Sequence, residues 1–308
     1  MPARIKLTEN QIQEMYRLRS KEKMSYGDIG EQFGVSKQTV KRRMKEYVYE
    51  NGLNEGSLSL DHQFDKFFFH DIDTSEKAYW LGFVTADGYL NEENATLSIK
   101  LSNVDRHHLE KLLDAVRAQD VPIRSEVNNL TGNLEAVICL CGKDITAGLK
   151  KQGIEQGKSQ HEKVPVIREE FVRDFIRGLW DGDGHISNSK IGMCSSYEVC
   201  KWVQEKLHEH CGTPINKVFF DSNIYKIYVV KTQIDVLKWL YYPGCKEMAL
   251  DRKYKAAKLK TLRAIKKCRL KNINDNIQAV QSGNTLEIMN GELNGKLPLG
   301  QSEIEGAA

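Results

Sequence analysis

Two nonapeptides constrain this chain of 308 residues more than any other feature. Trp80-Leu81-Gly82-Phe83-Val84-Thr85-Ala86-Asp87-Gly88 returns as Ile176-Arg177-Gly178-Leu179-Trp180-Asp181-Gly182-Asp183-Gly184, 96 positions later. The same order of elements follows each copy. After the first come strands through Leu97–Leu101, a helix through Leu109–Leu113, a hairpin from Ile123 to Leu140 turning near Thr131–Asn133, and a helix from Ile145 to Lys151. After the second come strands from Ile186 to Cys194, a helix from Tyr197 to His210, a hairpin from Val218 to Val230 turning at Asp221–Asn223, and a helix from Gln233 to Tyr241. Each half reads α-β-β-α-β-β-α, and a fixed offset signals a duplicated unit.

Each nonapeptide predicts the end of a buried helix. The residues before each acid are bulky and apolar on most sides, interrupted by Gly82 and Gly178, where two backbones can approach closely. Gly88 and Gly184 stand where a left-handed C-cap is expected. Asp87 and Asp183 then lie at helix C-termini, the wrong end for an anion. Pairing the two helices adds carboxylate repulsion. A divalent cation between the acids reverses both penalties, and close carboxylates with Mg²⁺ suit in-line phosphodiester hydrolysis.

These residues resemble the LAGLIDADG homing endonucleases over roughly residues 75–262. The likeness includes the linking stretch from Leu149 to Ile154 with Lys158-Ser159 and Val164-Pro165. It implies an α+β fold: a pseudo-twofold duplicated αββαββα unit with antiparallel saddle sheets across two central helices. It implies Mg²⁺ held by Asp87 and Asp183, with Lys231 near the end of the last strand as an acid/base group or charge stabiliser. The polar strand faces would lie on DNA, making Ser98, Lys100, Arg124, Glu126, Asn128, Lys217 and Lys226 groove contacts. Thr85 departs from the pattern, which has an acid there as the second copy does at Asp181. The implied activity is site-specific, metal-dependent double-strand cleavage of a long, nearly palindromic site, as in intron homing, by a monomer. Two other readings use the same scaffold: a non-catalytic DNA-binding regulator, which Thr85 leaves room for, and an intron RNA maturase, the one case with an RNA partner.

Residues 1–50 predict a separate unit of three short helices. Thr8 caps the first, a second spans Ser25–Phe33, and Gly34-Val35-Ser36 breaks to a third over Lys37–Met44, with Ser36 as its cap. The segment resembles the helix-turn-helix family at Ile29, Phe33, Gly34, Val35, Ser36 and Val40. That places Ser36, Lys37, Gln38 and Thr39 near base edges, and Lys41, Arg42 and Arg43 near phosphates. Residues 51–74 read as a linker with an apolar patch at Phe64, Phe67, Phe68 and Phe69. The halves are expected at 75–165 and 166–272, with a disordered tail at 273–308.

Charge agrees with a polyanionic partner. The net of +3 hides a segment, 251–272, with 10 Lys and Arg against one acid, and a tail with one Lys against five acids. No stretch approaches the ~18 apolar residues of a membrane span. Seven cysteines are an odd, sparse set, which favours a reduced, cytoplasmic, nucleoid-associated protein over a disulfide framework. Cys139 and Cys141 are expected as small core residues, His107 and His108 as surface residues without a role, and His185 as a solvated turn residue.

Overall fold

A computed structural model describes residues 7–22, 24–53, 62–156 and 164–281. Lys158-Ser159 and residues 282–308 lie outside them. Three helices open the chain: α1 (Glu9–Ser20), α2 (Tyr26–Phe33) and α3 (Lys37–Glu50). Thr8 and Gln11 form a capping box on α1, while Ser25 and Ser36 cap α2 and α3. Gly34 turns the chain at φ 65°, which favours glycine. An added Cβ at Gly30 would lie 2.6 Å from the Val35 carbonyl, so the α2–α3 turn is backbone-tight. Helix α3 runs past its expected end near Met44 because Val40, Met44 and Val48 keep one buried row. These helices close their own small core with Met15, Leu18 and Ile29.

The first half contains α4 (Ser75–Asp87), β1 (Gly88–Asn91), β2 (Thr96–Ser102), α5 (Arg106–Ala115), β3 (Arg124–Val127), β4 (Leu134–Cys141) and α6 (Lys143–Lys151). The second contains α7 (Val172–Asp183), β5 (Gly184–Ile186), β6 (Ile191–Ser195), α8 (Tyr197–Cys211), β7 (Phe219–Asp221), β8 (Ile224–Val229) and α9 (Gln233–Leu240). The order is αββαββα in both. The strands form two antiparallel sheets of four, β1-β2-β4-β3 and β5-β6-β8-β7, the same topology twice. Leu97, Ile99 and Leu101 alternate inward on β2, as the sequence pattern requires. Ser222 and Asn223, at φ 54° and 64°, turn the second hairpin with the left-handed pair that matches strand twist.

Helix α4 is buried from Ala78 to Thr85, so it presents no polar stripe and belongs at the centre. Phe68 and Phe69 dock into the main core, leaving Phe67 exposed. A long helix, α10 (Asp251–Gln281), packs its start on α9 and β5 and runs past 273, where the tail was expected to begin.

Three other expectations need correction. Gly88 and Gly184 are extended, at φ −78° and −82°, because the chain passes straight from helix into strand. Glycine is needed there for space: an added Cβ would lie 2.5 Å from the Val84 carbonyl or 2.4 Å from that of Trp180. Cys139 and Cys141 are not core residues; they share the outer face of β4, half-buried and exposed. His108 is buried, whereas its neighbour His107 faces solvent.

Candidate active site between the two motif helices

The two motif helices meet backbone to backbone. An added Cβ would lie 2.1 Å from the Phe175 carbonyl at Gly82, and 2.0 Å from the Tyr79 carbonyl at Gly178. No side chain fits either place. This crossing brings the helix ends together. At Gly182, an added Cβ would lie 2.3 Å from Ala86 Cβ and 3.2 Å from Asp87 Oδ2. The Asp87 carboxylate thus rests against the residue preceding Asp183, and both acids are half-buried.

A lysine that the sequence reading passed over completes this end of the pair. Lys253 of α10 is only 5% exposed. Its Nζ donates to the carbonyls of Trp180 (2.8 Å), Asp181 (2.6 Å) and Gly182 (2.9 Å). These belong to the last turn of α7, which carries the negative end of the macrodipole; the Trp180 carbonyl also accepts from the Gly184 N–H. Burial pushes the Lys253 ammonium down to about 8, against the upward pull of Asp181 and then of Asp87 and Asp183. Its signal was present in the sequence: Leu250, Lys253 and Ala257 share one helical stripe whose other members are core residues. Nine other basic residues in the same run concealed it.

Asp181 explains the Thr85 departure. Its buried carboxylate accepts from Tyr79 Oη (2.8 Å), Tyr241 Oη (2.7 Å) and the Leu250 N–H (2.8 Å). It ties α4, the end of α9 and the approach to α10 onto α7. Burial raises its pKa, opposed by the Leu250 N–H, Tyr241, Lys253 and Tyr79. Tyr79 Oη in turn accepts from His108 Nε2 (2.9 Å), which leaves His108 Nδ1 buried with no partner. Thr85 donates to the Leu81 carbonyl of its own helix (2.8 Å). Nearby, buried Arg177 pairs with Asp174 at 2.6 Å and lies over the rings of Tyr79 and Tyr242.

The other expected residues lie elsewhere. Lys231 is exposed and lines a cleft with Lys190 and Lys217. On the first sheet Lys100 pairs with Glu126 (2.8 Å) and Arg124 donates to Cys139 Sγ (3.1 Å). On the second, Lys226 pairs with Asp221 (2.6 Å). Lys37, Gln38, Lys41 and Arg42 are exposed on α3. Ser36 and Thr39 bond each other at the cap (2.9 Å), and Arg43 pairs with Glu46 (3.0 Å).

Among the described residues, no helix is long and apolar enough to cross a membrane. No family model and no curated protein sequence matches the chain. Solved structures similar to it include full-length DUF199/WhiA from Thermatoga maritima, at 14% identity and TM-score 0.41, covering 71% of this chain and 73% of that one. The homing endonuclease I-WcaI bound to its DNA recognition sequence is 13% identical, with TM-score 0.43, covering 64% and 90%. I-DmoI in complex with DNA and Ca is 13% identical, with TM-score 0.43, covering 60% and 97%. Likeness at this level assigns no activity to this chain.

Proposed function

We propose that the chain is a site-specific DNA endonuclease that makes a metal-dependent double-strand break in a long, nearly palindromic site. The observation that carries this reading is the α4–α7 backbone contact, which lays the Asp87 carboxylate against Gly182, one residue from Asp183. Two half-buried acids at adjacent helix C-termini repel each other and sit at the negative end of the macrodipole, costs that a bound divalent cation reverses. The donor set there is all oxygen, which fits Mg²⁺. Bound between Asp87 and Asp183, Mg²⁺ would polarise the scissile phosphate and lower the pKa of an attacking water.

The chain's own residues do the rest. Gly82 and Gly178 hold the acids in register. Lys253 satisfies the α7 carbonyls, so that the end of the helix does not repel a phosphate. Lys37, Gln38, Lys41 and Arg42 of α3 enter a major groove, with Ser36 and Thr39 fixing the start of that helix. Arg43, Lys100 and Lys226 exchange their carboxylate partners for phosphates, while Arg124, Lys217 and Lys231 add positive charge along the same path.

The test is incubation with a library of duplex DNA and Mg²⁺, followed by sequencing of cut ends, for wild type, Asp87→Asn and Asp183→Asn. Cutting by wild type at a defined site, with binding but no cutting by both variants, supports the reading. Full cutting by either variant removes these carboxylates from the mechanism. A wild-type chain that binds a defined site and never cuts it is a regulator.

A further inference from the structure

The two sheets share a topology but present different outer faces. On the second sheet, Ile191, Met193, Ile227 and Val229 face the core. The alternate positions carry a row of flat rings. His185 pairs in register with Gly192, and Gly192 with Tyr228. The His185 and Tyr228 ring centroids lie 5.7 Å apart, and Phe219 of the edge strand adds a third ring 5.7 Å from Tyr228. Gly192 makes this possible: an added Cβ would lie 2.6 Å from His185 Cε1 and 2.8 Å from Tyr228 Cδ1. Phe219 is 47% exposed, and His185 is exposed. The row borders a cleft of about 670 Å³, lined by Lys190, Lys217, Lys231, Asn216, Phe219 and Tyr228 among others, with no acidic residue. Lys190 Nζ stands 3.7 Å above the Tyr228 ring.

The matching row of the first sheet holds one exposed ring, Tyr89, beside Ser98 and Cys139, followed by Arg124 and the Lys100–Glu126 pair. Polar groups of that kind can meet the edges of paired bases. A ring face finds nothing to stack on there, because a duplex hides its base faces in the stack and shows donors and acceptors in the grooves. The exposed Phe219 ring beside the lysines of a cleft without an acidic lining residue matches an unpaired nucleotide: a base face for the ring and a phosphate for the ammonium.

We propose that this cleft binds unpaired nucleotides of a single strand, with Phe219 stacking on a base and Lys190, held over the Tyr228 ring, and Lys217 holding the flanking phosphates. The proposal goes beyond duplex cleavage and does not depend on it. Asn216 at the rim offers an amide for a base edge or a ribose hydroxyl, so DNA and RNA strands share the chemistry.

The test is fluorescence anisotropy of the full chain, without divalent metal, using labelled twelve-residue oligothymidine, oligouridine, their duplexes and free thymidine monophosphate. Phe219→Ala, Phe219→Tyr and Lys190→Gln are compared, with thermal melting as the folding control. Wild type is expected to bind at least one single strand more tightly than the matching duplex. Phe219→Ala weakens that binding roughly tenfold while leaving duplex binding within about twofold, and Phe219→Tyr restores it. Lys190→Gln lowers the salt dependence of single-strand binding by about one charge. A preference for oligouridine over oligothymidine also supports the proposal and identifies RNA as the strand. The proposal is overturned if both single strands bind no tighter than their duplexes, or if Phe219→Ala melts like wild type and binds them equally. It is also overturned if free nucleotide binds as tightly as the strands. A wild-type chain that binds strands in this way and never cuts duplex DNA would remove the endonuclease reading and leave this one standing.

Discussion

Replacing Lys253 by methionine keeps a long unbranched stem and removes the ammonium. Three carbonyls, at 2.8, 2.6 and 2.9 Å, then lose the ammonium, and that of Trp180 keeps the Gly184 N–H. A hydrogen bond from a charged donor contributes about 1.5–3 kcal/mol net of desolvation, and burial works against these bonds by holding the ammonium down at about 8. The expected loss is roughly 3–5 kcal/mol, as when one member of a buried charged cluster is removed. Asp181 would also lose the favourable charge of Lys253 and remain buried. Urea unfolding of Lys253→Met, followed by far-ultraviolet circular dichroism, reads this directly. Cleavage should fall with it, because the end of α7 that carries Asp183 is no longer held. An unchanged urea midpoint would refute the reasoning: the three bonds would then only repay the burial of the ammonium.

Gly178→Ala should destabilise by about 3 kcal/mol or more, because its Cβ would meet the Tyr79 carbonyl at 2.0 Å and the helices must part; a differential scanning calorimetry trace overlying wild type would contradict this. His108 is held far below its ordinary 6.5, at about 3, by burial first and by Lys111. Between those values the unfolded chain binds a proton that the folded chain refuses, so stability is lost as pH falls, by about 2 kcal/mol from pH 7 to pH 5. His108→Gln should flatten that slope in urea midpoints measured across the range. Deleting residues 1–50 should weaken duplex binding and reduce its salt dependence while leaving cutting detectable; complete loss of cutting in a deletion that melts normally would place the N-terminal helices inside the catalytic core.

The repeat made most of the fold legible. Its fixed offset gives two αββαββα halves, and Gly82 and Gly178 announce a contact too close for side chains. Caps at Thr8 and Ser36 were readable because an N-cap is a local rule, whereas Ser25, read as helical, proves to be the cap of α2. What the sequence hid depends on distant partners. His108 looks like half of a polar pair, and only the packing of α4 and α5 decides which histidine is buried. Asp181 and Thr85 differ visibly in sequence, but the reason lies in Tyr241 and Leu250, about 60–70 positions later along the chain. Gly88 and Gly184 were assigned a left-handed cap from a rule that fits helices ending in turns. Here each helix ends in a strand.

The Asp181 cluster also bears on how such a chain can change. If the first half were replaced by a copy of the second, an aspartate would stand in place of Thr85, and it would need its own counterparts of Tyr241, Leu250 and Lys253. Those groups lie at the end of the second half and on α10, and a single α10 cannot serve both. Copying the first half over the second would instead remove Asp181 and leave the Tyr79 Oη without its acceptor. The two halves are therefore no longer interchangeable modules. Recombination that reshuffles them, or a return to a dimer of one half, would meet a stability barrier before any question of DNA specificity arose. Sequence drift can retune the two outer faces independently, because the lock between the halves sits beneath both of them.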